Sequence, residues 1–206
     1  MMDFSSRALR MLFPSAMYST PNDTVHLTFD DGPHAAATPI VLDVLRQFNI
    51  QATFFLLGQH AQRWPQLVRI IAGDGHTVGN HSFDHLNLIL RNKEFVRRQI
   101  STTNGAIYEA TGILPNLFRP PFGYFDTRLL NIVRSYGMRL VHWTNDIRDF
   151  RTGTSEMTIA RRVRQIDKGS IILMHDNDAT ANKVRTILPA LIRMILDRGL
   201  VFGTLD

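Results

Sequence analysis

The chain has 206 residues, enough for one well-buried domain and short for two. Its composition, 44% hydrophobic and 20% charged, is that of an ordinary globular protein, and no apolar run approaches the roughly 20 residues that a membrane-spanning helix needs. The absence of cysteine excludes disulfides and thiolate chemistry, so any metal must be bound by His, Asp or Glu. A formal net charge of +5 suits an anionic partner, but the arginines are spread over helix-like segments, which favours solvated helix faces over a nucleic-acid footprint.

The N-terminal segment carries scattered charge and only a short apolar run. That run, Met11-Leu12-Phe13, is broken by Pro14, whereas a secretory signal has an uninterrupted apolar core of about 7–15 residues. The prediction is therefore a cytoplasmic protein, or a secreted or periplasmic one if a leader is missing from the sequence. Residues 1–20 are predicted to form a loosely packed arm and residues 21–206 a single domain, with a monomer favoured.

Short β-type runs alternate along the chain with longer amphipathic patterns. In the first of these patterns Ile40, Val41, Val44, Leu45 and Phe48 recur at helical spacing. Seven strands alternating with six helices predict a parallel sheet, either open and doubly wound or closed into a barrel related to the (β/α)8 type. The predicted strands are Val25–Phe29, Ala52–Leu57, Thr77–Asn80, Leu117–Arg119, Arg139–Trp143, Ser170–Met174 and Val201–Thr204. The predicted helices are Pro39–Phe48, Pro65–Gly73, Lys93–Thr111, Thr127–Tyr136, Ser155–Gln165 and Asn182–Arg198.

Unusual polar residues follow most of the predicted strands. In a parallel sheet these strand ends lie on one face, where the active sites of such folds are assembled. Scattered polar clusters therefore become one candidate site. Its members are Asp30 and Asp31 after the first strand, His81 and His85 after the third, Arg119 at the end of the fourth, Asp146 and Asp149 after the fifth, and His175 and Asp176 after the sixth.

Two histidines and an adjacent pair of aspartates predict a metal site. His81 and His85 are four residues apart, a spacing that holds a divalent metal if the segment turns helically. Asp30 and Asp31 are like charges whose proximity is costly without a cation or a proton between them. One of them should bind the metal and the other act as a base, and spacing alone does not rank them. Zinc is the default ion, with cobalt, nickel and manganese as alternatives.

The remaining strand-end residues suit proton transfer and charge stabilisation. Arg119 is positioned to pair with a carboxylate, and the two prolines that follow it stiffen a loop in which the N–H of Phe122 could serve as an oxyanion donor. His175 has a pKa range suited to proton donation near neutral pH. Either Asp146 or Asp149 could orient its imidazole.

Taken in order, these segments resemble the five motifs of the polysaccharide deacetylases of carbohydrate esterase family four, the NodB homology domain. The resemblance extends from about Val25 to Asp176, and five ordered motifs are highly specific. The motifs are Thr28-Phe29-Asp30-Asp31-Gly32-Pro33, His81-Ser82-Phe83-Asp84-His85, Arg119-Pro120-Pro121-Phe122, Asp149-Phe150 and Leu173-Met174-His175-Asp176.

The resemblance implies a distorted (β/α) barrel, TIM-barrel-like, with about seven parallel strands over a catalytic domain of residues 21–206. It also ranks the aspartates. Asp30 would be the catalytic base, paired with Arg119. Asp31 would bind the divalent metal together with His81 and His85.

The resemblance assigns the other motif residues to the leaving group and the acetyl pocket. His175 would protonate the leaving amine, with Asp149 orienting it. The N–H of Phe122 would help to hold the oxyanion, and Leu173 would line the acetyl pocket. Phe150 stands where the family usually has Trp, which keeps an apolar wall but removes the indole N–H.

The implied reaction is removal of an N-acetyl group from N-acetylglucosamine in an acetylated poly- or oligosaccharide, of chitooligosaccharide or peptidoglycan type, by attack of metal-bound water. Alternatives within the same chemistry are acetylxylan esterase activity and deacylation of a lipid-linked formamido sugar or a cyclic amide. A catalytically silent carbohydrate-binding module is disfavoured, because no metal ligand or proton-transfer residue of the motifs is missing.

Overall fold

A single curled sheet of parallel strands forms the centre of the molecule. The computed structural model describes residues 10–205, and within them every registered pair of strands is parallel. The strands are β1 (Thr24–Asp30), β2 (Thr53–Leu56), β3 (Thr77–Asn80), β4 (Leu117–Phe118), β5 (Arg139–Leu140), β6 (Asn145–Asp146), β7 (Ile171–His175) and β8 (Val201–Phe202).

The strand order is that of a distorted, incomplete barrel. Neighbours run β5-β4-β3-β2-β1-β7-β6, and β8 pairs with the start of β1. This order follows the chain around a ring, whereas a doubly wound sheet reverses direction at a switch point. The predicted barrel is therefore confirmed and the open doubly wound alternative is excluded.

Helices follow most of the strands and cover the outside of the sheet. The six predicted helices and seven predicted strands all occur within three residues of their predicted bounds, while the helix Gly58–Arg63 and strand β6 were not predicted. No helix among residues 10–205 is both long and apolar enough to cross a membrane. Beyond the helical residues 10–12, the helices are α1 (Ala37–Gln47), α2 (Gly58–Arg63), α3 (Pro65–Gly73), α4 (Lys93–Thr111), α5 (Thr127–Ser135), α6 (Glu156–Val163) and α7 (Val184–Leu196).

Local signals in the sequence fix the ends of the helices near the site. The side chain of Asn92 accepts a hydrogen bond from Phe95 N at the start of α4, and Asp126 caps α5 in the same way through Leu129 N. Helix α4 ends at Gly112, whose φ of 73° is the left-handed conformation that glycine adopts most readily. These caps place the loops before α4 and α5 at the carboxyl ends of β3 and β4.

Alternation along β1 divides the core into an outer and an inner layer. Val25, Leu27 and Phe29 face outward into the large apolar cluster shared with α1 and α7. Thr28 and Asp30 lie on the opposite face because successive side chains of a strand point to opposite sides. The inner face has its own small apolar cluster of Phe55, Leu117, Val141, Ile171 and Leu205, so the barrel interior is filled below the site.

Residues 16–20 do not behave as the loose arm that was predicted. Ala16 and Tyr18 are buried, Met17 forms a parallel bridge with Val141, and Ser19 forms an antiparallel bridge with Ser170. The segment thus lies between the end of β5 and the start of β7, where the strand order leaves the barrel incomplete. This pairing was not predicted because the segment lacks a strand-like apolar run. The predicted arm otherwise includes residues 1–9, which lie outside the described residues.

Candidate active site

The first and seventh strands carry the two central polar groups side by side. Asp30 and His175 are register partners at the carboxyl ends of β1 and β7. Leu173, two residues before His175, pairs with Thr28, so all four side chains share the inner face of the barrel. Asp30 is 3% exposed, whereas His175 is half-buried.

Asp31, His81 and His85 form a three-residue group that could hold a metal ion. One potential ligand atom from each lies within 4.8 Å of the others. Asp31 Oδ1 is 3.5 Å from Nε2 of His81 and 3.3 Å from Nε2 of His85. The predicted metal ligands are therefore brought together, with Asp30 beside them, since its Oδ2 is 3.7 Å from Nε2 of His81.

The donor set fits a divalent metal. Nδ1 of His81 donates to the carbonyl oxygen of Arg119 at 2.7 Å, which leaves a lone pair on Nε2 facing the group. Asp31 Oδ1 is buried and has no hydrogen-bond partner among the described residues. A buried carboxylate oxygen without a partner is costly, and a cation among two imidazoles and a carboxylate would satisfy it.

The electrostatics of the site favour the metal-binding forms of Asp31 and His85. Burial alone would raise the pKa of Asp31, but the neighbouring imidazoles of His81, His85 and His175 and a hydrogen bond from Asn177 together lower it. Burial and the proximity of His81 lower the pKa of His85, against the opposing effect of Asp31. An ionised carboxylate and a neutral imidazole are the required ligand states.

Arg119 is fully buried and holds Asp30 in place. Its Nη1 donates to Asp30 Oδ1 at 2.8 Å and to Thr28 Oγ1 at 2.6 Å, and its Nη2 donates to the carbonyl of His142 at 3.1 Å. The guanidinium carbon lies 4.1 Å from the ring centroid of Phe55. Burial lowers the pKa of Arg119, and the charge and hydrogen bond of Asp30 oppose that effect. The predicted pairing of Arg119 with Asp30 is present.

His175 is oriented by Asp149, which resolves the choice that the sequence left open. Nδ1 of His175 lies 2.9 Å from Asp149 Oδ1, and the His175 N–H donates to Asp149 Oδ2 at 2.8 Å. Asp146 instead accepts from the N–H of Arg148. Burial alone would lower the pKa of His175, but Asp149 and the charges of Asp30 and Asp31 raise it to about 9. These neighbours therefore favour the protonated form of His175.

The turn after Arg119 presents Phe122 at the mouth of the site. Phe122 has a φ of 60°, an uncommon value for a residue with a side chain, and its ring meets His85 edge-on at 4.5 Å. The hydrogen bonds of the turn are donated by Gly123 and Tyr124, which leaves the N–H of Phe122 outside them. Gly123 is required here because a Cβ would lie 2.5 Å from the Trp143 ring.

Two apolar side chains border His175. Phe150 is 41% exposed, and its ring contacts the His175 imidazole edge-on at a centroid distance of 5.3 Å. Leu173 is buried on the same face of β7 as His175. The predicted substrate-contacting residues thus lie around the same opening as the predicted catalytic groups.

Sequence reasoning missed two residues that contact the metal-binding group. Asn177 Nδ2 donates to Asp31 Oδ2 at 2.8 Å, and Nδ1 of His60 lies 2.8 Å from the carbonyl oxygen of Asp31. His60 belongs to α2, the helix that was not predicted. Asn177 directly follows the last motif, and its proximity to that motif was the only available signal.

Comparison with known proteins places this site in a family. The family model described as polysaccharide deacetylase matches residues 18–141, and the chain belongs to that family. It is 38% identical over 169 residues to a chitooligosaccharide deacetylase of Azorhizobium caulinodans, covering 82% of this chain and 80% of the relative. It is 34% identical to the peptidoglycan-N-acetylglucosamine deacetylase PgdA of Listeria monocytogenes over 194 residues, which are 94% of this chain but 40% of that protein.

A solved structure resembles the chain over its whole length. The crystal structure of the Bc1960 peptidoglycan N-acetylglucosamine deacetylase superposes with a TM-score of 0.88 at 33% identity, covering 100% of this chain and 95% of that one. The architecture described above is therefore that of a known deacetylase fold. The resemblance inferred from the motifs is confirmed.

Proposed function

We propose that this protein is a metal-dependent deacetylase that removes N-acetyl groups from glycans containing N-acetylglucosamine. The observation that carries the proposal is the placement of Asp30 and His175 as register partners beside the Asp31, His81 and His85 group. A buried base and a protonated acid on neighbouring strands, next to a metal-binding group, are the parts that amide hydrolysis requires.

The three ligand residues would hold a divalent ion, and zinc suits their donor atoms best. Two imidazoles and one carboxylate leave coordination positions open, as in catalytic zinc sites, although cobalt, nickel and manganese bind similar sets. Bound there, the ion would supply Lewis-acid polarisation and a water of lowered pKa.

Asp30 is assigned as the general base. Its carboxylate takes a proton from the attacking water, whose oxygen forms a bond to the acetyl carbonyl carbon. The buried guanidinium of Arg119, which donates to Asp30 Oδ1 at 2.8 Å, holds the carboxylate in place for the attack. The hydrogen bond occupies Oδ1, and Oδ2 lies toward the ligand residues, as its 3.7 Å distance from His81 indicates.

His175 is assigned as the general acid. When the bond between the carbonyl carbon and nitrogen breaks, the imidazolium gives a proton to the departing amine, and acetate and a free amino sugar result. Asp149 holds Nδ1, so Nε2 is the nitrogen that transfers the proton.

Negative charge develops on the acetyl carbonyl oxygen during the attack, and a nearby hydrogen-bond donor stabilises it. The N–H of Phe122 is assigned to that role. The positive φ of Phe122 sets the direction of this N–H through the fold of the turn, before any substrate binds. Leu173 and Phe150 are assigned to the apolar wall around the acetyl methyl group. Phe150 in place of the family's usual Trp preserves that wall without an additional hydrogen-bond donor.

The names of the relatives support N-acetylglucosamine in the substrate, either in chitooligosaccharides or in peptidoglycan. Acetylxylan, a formamido sugar or a cyclic amide would use the same acid, base and ligand residues. A carbohydrate-binding module without catalytic activity would not require the buried Arg119–Asp30 and Asp149–His175 pairs.

The test is acetate release from chitooligosaccharides, peptidoglycan glycan strands and acetylxylan. We expect release from at least one N-acetylglucosamine substrate, loss of activity after chelation, and recovery on adding zinc, with cobalt, nickel and manganese compared at equal concentration. Activity that persists through complete chelation would contradict the metal assignment. Release from acetylxylan alone would contradict the proposed substrate class.

A further inference from the structure

We propose that Asn177 and His60 are positioning residues that hold Asp31 in its metal-binding geometry. This inference rests on the assignment of Asp31, His81 and His85 as the metal ligands. It adds two residues outside the sequence motifs, from α2 and from the loop after β7, which act through Asp31.

Asp31 has a backbone conformation that needs support. Its φ of 76° lies in the left-handed region, which an aspartate adopts at a cost. This conformation follows immediately after β1 and turns the side chain toward His81 and His85. Such a conformation is maintained when neighbouring groups hold it. Asp31 receives contacts both to its side chain and to its backbone.

Asn177 determines which carboxylate oxygen of Asp31 is available. Its Nδ2 donates to Oδ2 at 2.8 Å, while Oδ1, which faces the two imidazoles, is buried and accepts no hydrogen bond from residues 10–205. The amide orientation of Asn177 is itself fixed, because its Oδ1 accepts from the N–H of Ala179 at 3.0 Å. The Asn177 contact therefore occupies one oxygen and directs the other toward the metal position.

His60 holds the backbone of the same residue. Its Nδ1 lies 2.8 Å from the carbonyl oxygen of Asp31, and since a carbonyl only accepts, Nδ1 must be the donor. The ring also packs against Trp64, with centroids 5.4 Å apart, which restricts its rotation. Asp31 is thus held from two elements at two different atoms.

The experiment measures zinc affinity in the metal-free protein by competition with a chromophoric chelator. Loss of a contact that orients a metal ligand typically weakens binding by about 10–100-fold, so we expect that loss for Asn177→Ala. Asn182→Ala is the matched control, since Asn182 is an exposed asparagine in the same loop, and its affinity should equal that of the wild type. Asn177→Ser retains a turn-forming side chain too short to reach Asp31 and should weaken zinc binding like Asn177→Ala.

The role of His60 is tested independently, with one substitution that removes its contact to Asp31 and one that should restore it. His60→Ala should weaken zinc binding, whereas His60→Asn, which can place an amide donor near the position of Nδ1, should recover most of the affinity. The melting temperature of each metal-free variant separates loss of fold from loss of ligand positioning.

Folded Asn177→Ala and Asn177→Ser variants that bind zinc within twofold of the wild type would overturn the role of Asn177. Equal affinities for His60→Ala and His60→Asn would overturn that of His60. A wild-type protein that binds no zinc, cobalt, nickel or manganese would instead overturn the proposed function.

Discussion

The backbone carbonyl of Arg119 accepts a hydrogen bond of 2.7 Å from Nδ1 of His81. The guanidinium of the same arginine donates to Asp30 at 2.8 Å. One buried residue therefore sets the tautomer of a proposed metal ligand with its main chain and the position of the proposed base with its side chain. Arg119 couples two functions that the sequence motifs present separately.

Replacing the proposed base should remove turnover and leave the metal site intact. For Asp30→Asn we expect kcat to fall by about 10²–10⁴-fold, the usual contribution of a general base. Zinc affinity should change little, because Asp31, His81 and His85 are untouched. Acetate release and chelator competition on the same preparation check both expectations. Full activity in this variant would refute the role assigned to Asp30.

Removing the charge of Arg119 should strongly destabilise the fold. Arg119→Met leaves Asp30 buried without its partner, and breaking a buried pair in this way costs about 3–5 kcal/mol in the free energy of unfolding. Denaturant titration of the metal-free protein measures the loss. Arg46→Met is the control, because the Arg46 side chain is 52% exposed beside Asp43 and Asp74 and should contribute at most about 1 kcal/mol. Equal losses in the two variants would contradict the importance of the buried pair.

The stability of the metal-free protein should decrease with rising pH through the titration of His175. Its pKa is raised from 6.5 to about 9 on folding, so protonation favours the folded state. The stabilisation is fully present below about pH 6.5 and is lost as pH approaches and passes 9. Unfolding free energies measured across this interval should fall for the wild type and fall less for His175→Gln. An identical slope for the two proteins would be inconsistent with the raised pKa.

The aromatic wall beside His175 should affect catalysis through the exclusion of water. Phe150→Ala removes the ring that contacts the imidazole edge-on at 5.3 Å. We expect a lower kcat/KM on oligosaccharides, by about tenfold if roughly 1.4 kcal/mol of transition-state stabilisation is lost. Phe150→Trp should retain activity, and the exposed Tyr108→Ala should behave as the wild type. Steady-state kinetics on one defined oligosaccharide distinguish these outcomes.

The sequence predicted the positions of the proposed catalytic and metal-binding residues better than it predicted the residues that hold them in place. Alternating strands and helices placed Asp30, His81, Arg119 and His175 at strand ends on one face, and the structure brings them together. Such a prediction succeeds because a parallel sheet imposes a common direction on its strands.

The elements that were missed are short and lack periodicity. Strand β6 contains only Asn145 and Asp146, and α2 has six residues, too few for an amphipathic pattern. Selection of Asp149 over Asp146 as the partner of His175 depends on the path of the chain after β6. The contact of Asn177 with Asp31 joins positions 146 residues apart and has no local signature.

The pairing of residues 16–20 has a practical consequence for any shortened form of this protein. The family match begins at residue 18, yet the carbonyl of Met17 accepts a hydrogen bond of 2.7 Å from the N–H of His142. The carbonyl of His142 in turn accepts from Arg119 at 3.1 Å. A fragment that began at residue 18 would lack the first of these hydrogen bonds, which lead through Arg119 to the proposed base, so the N-terminal boundary for expression should be drawn ahead of Ala16.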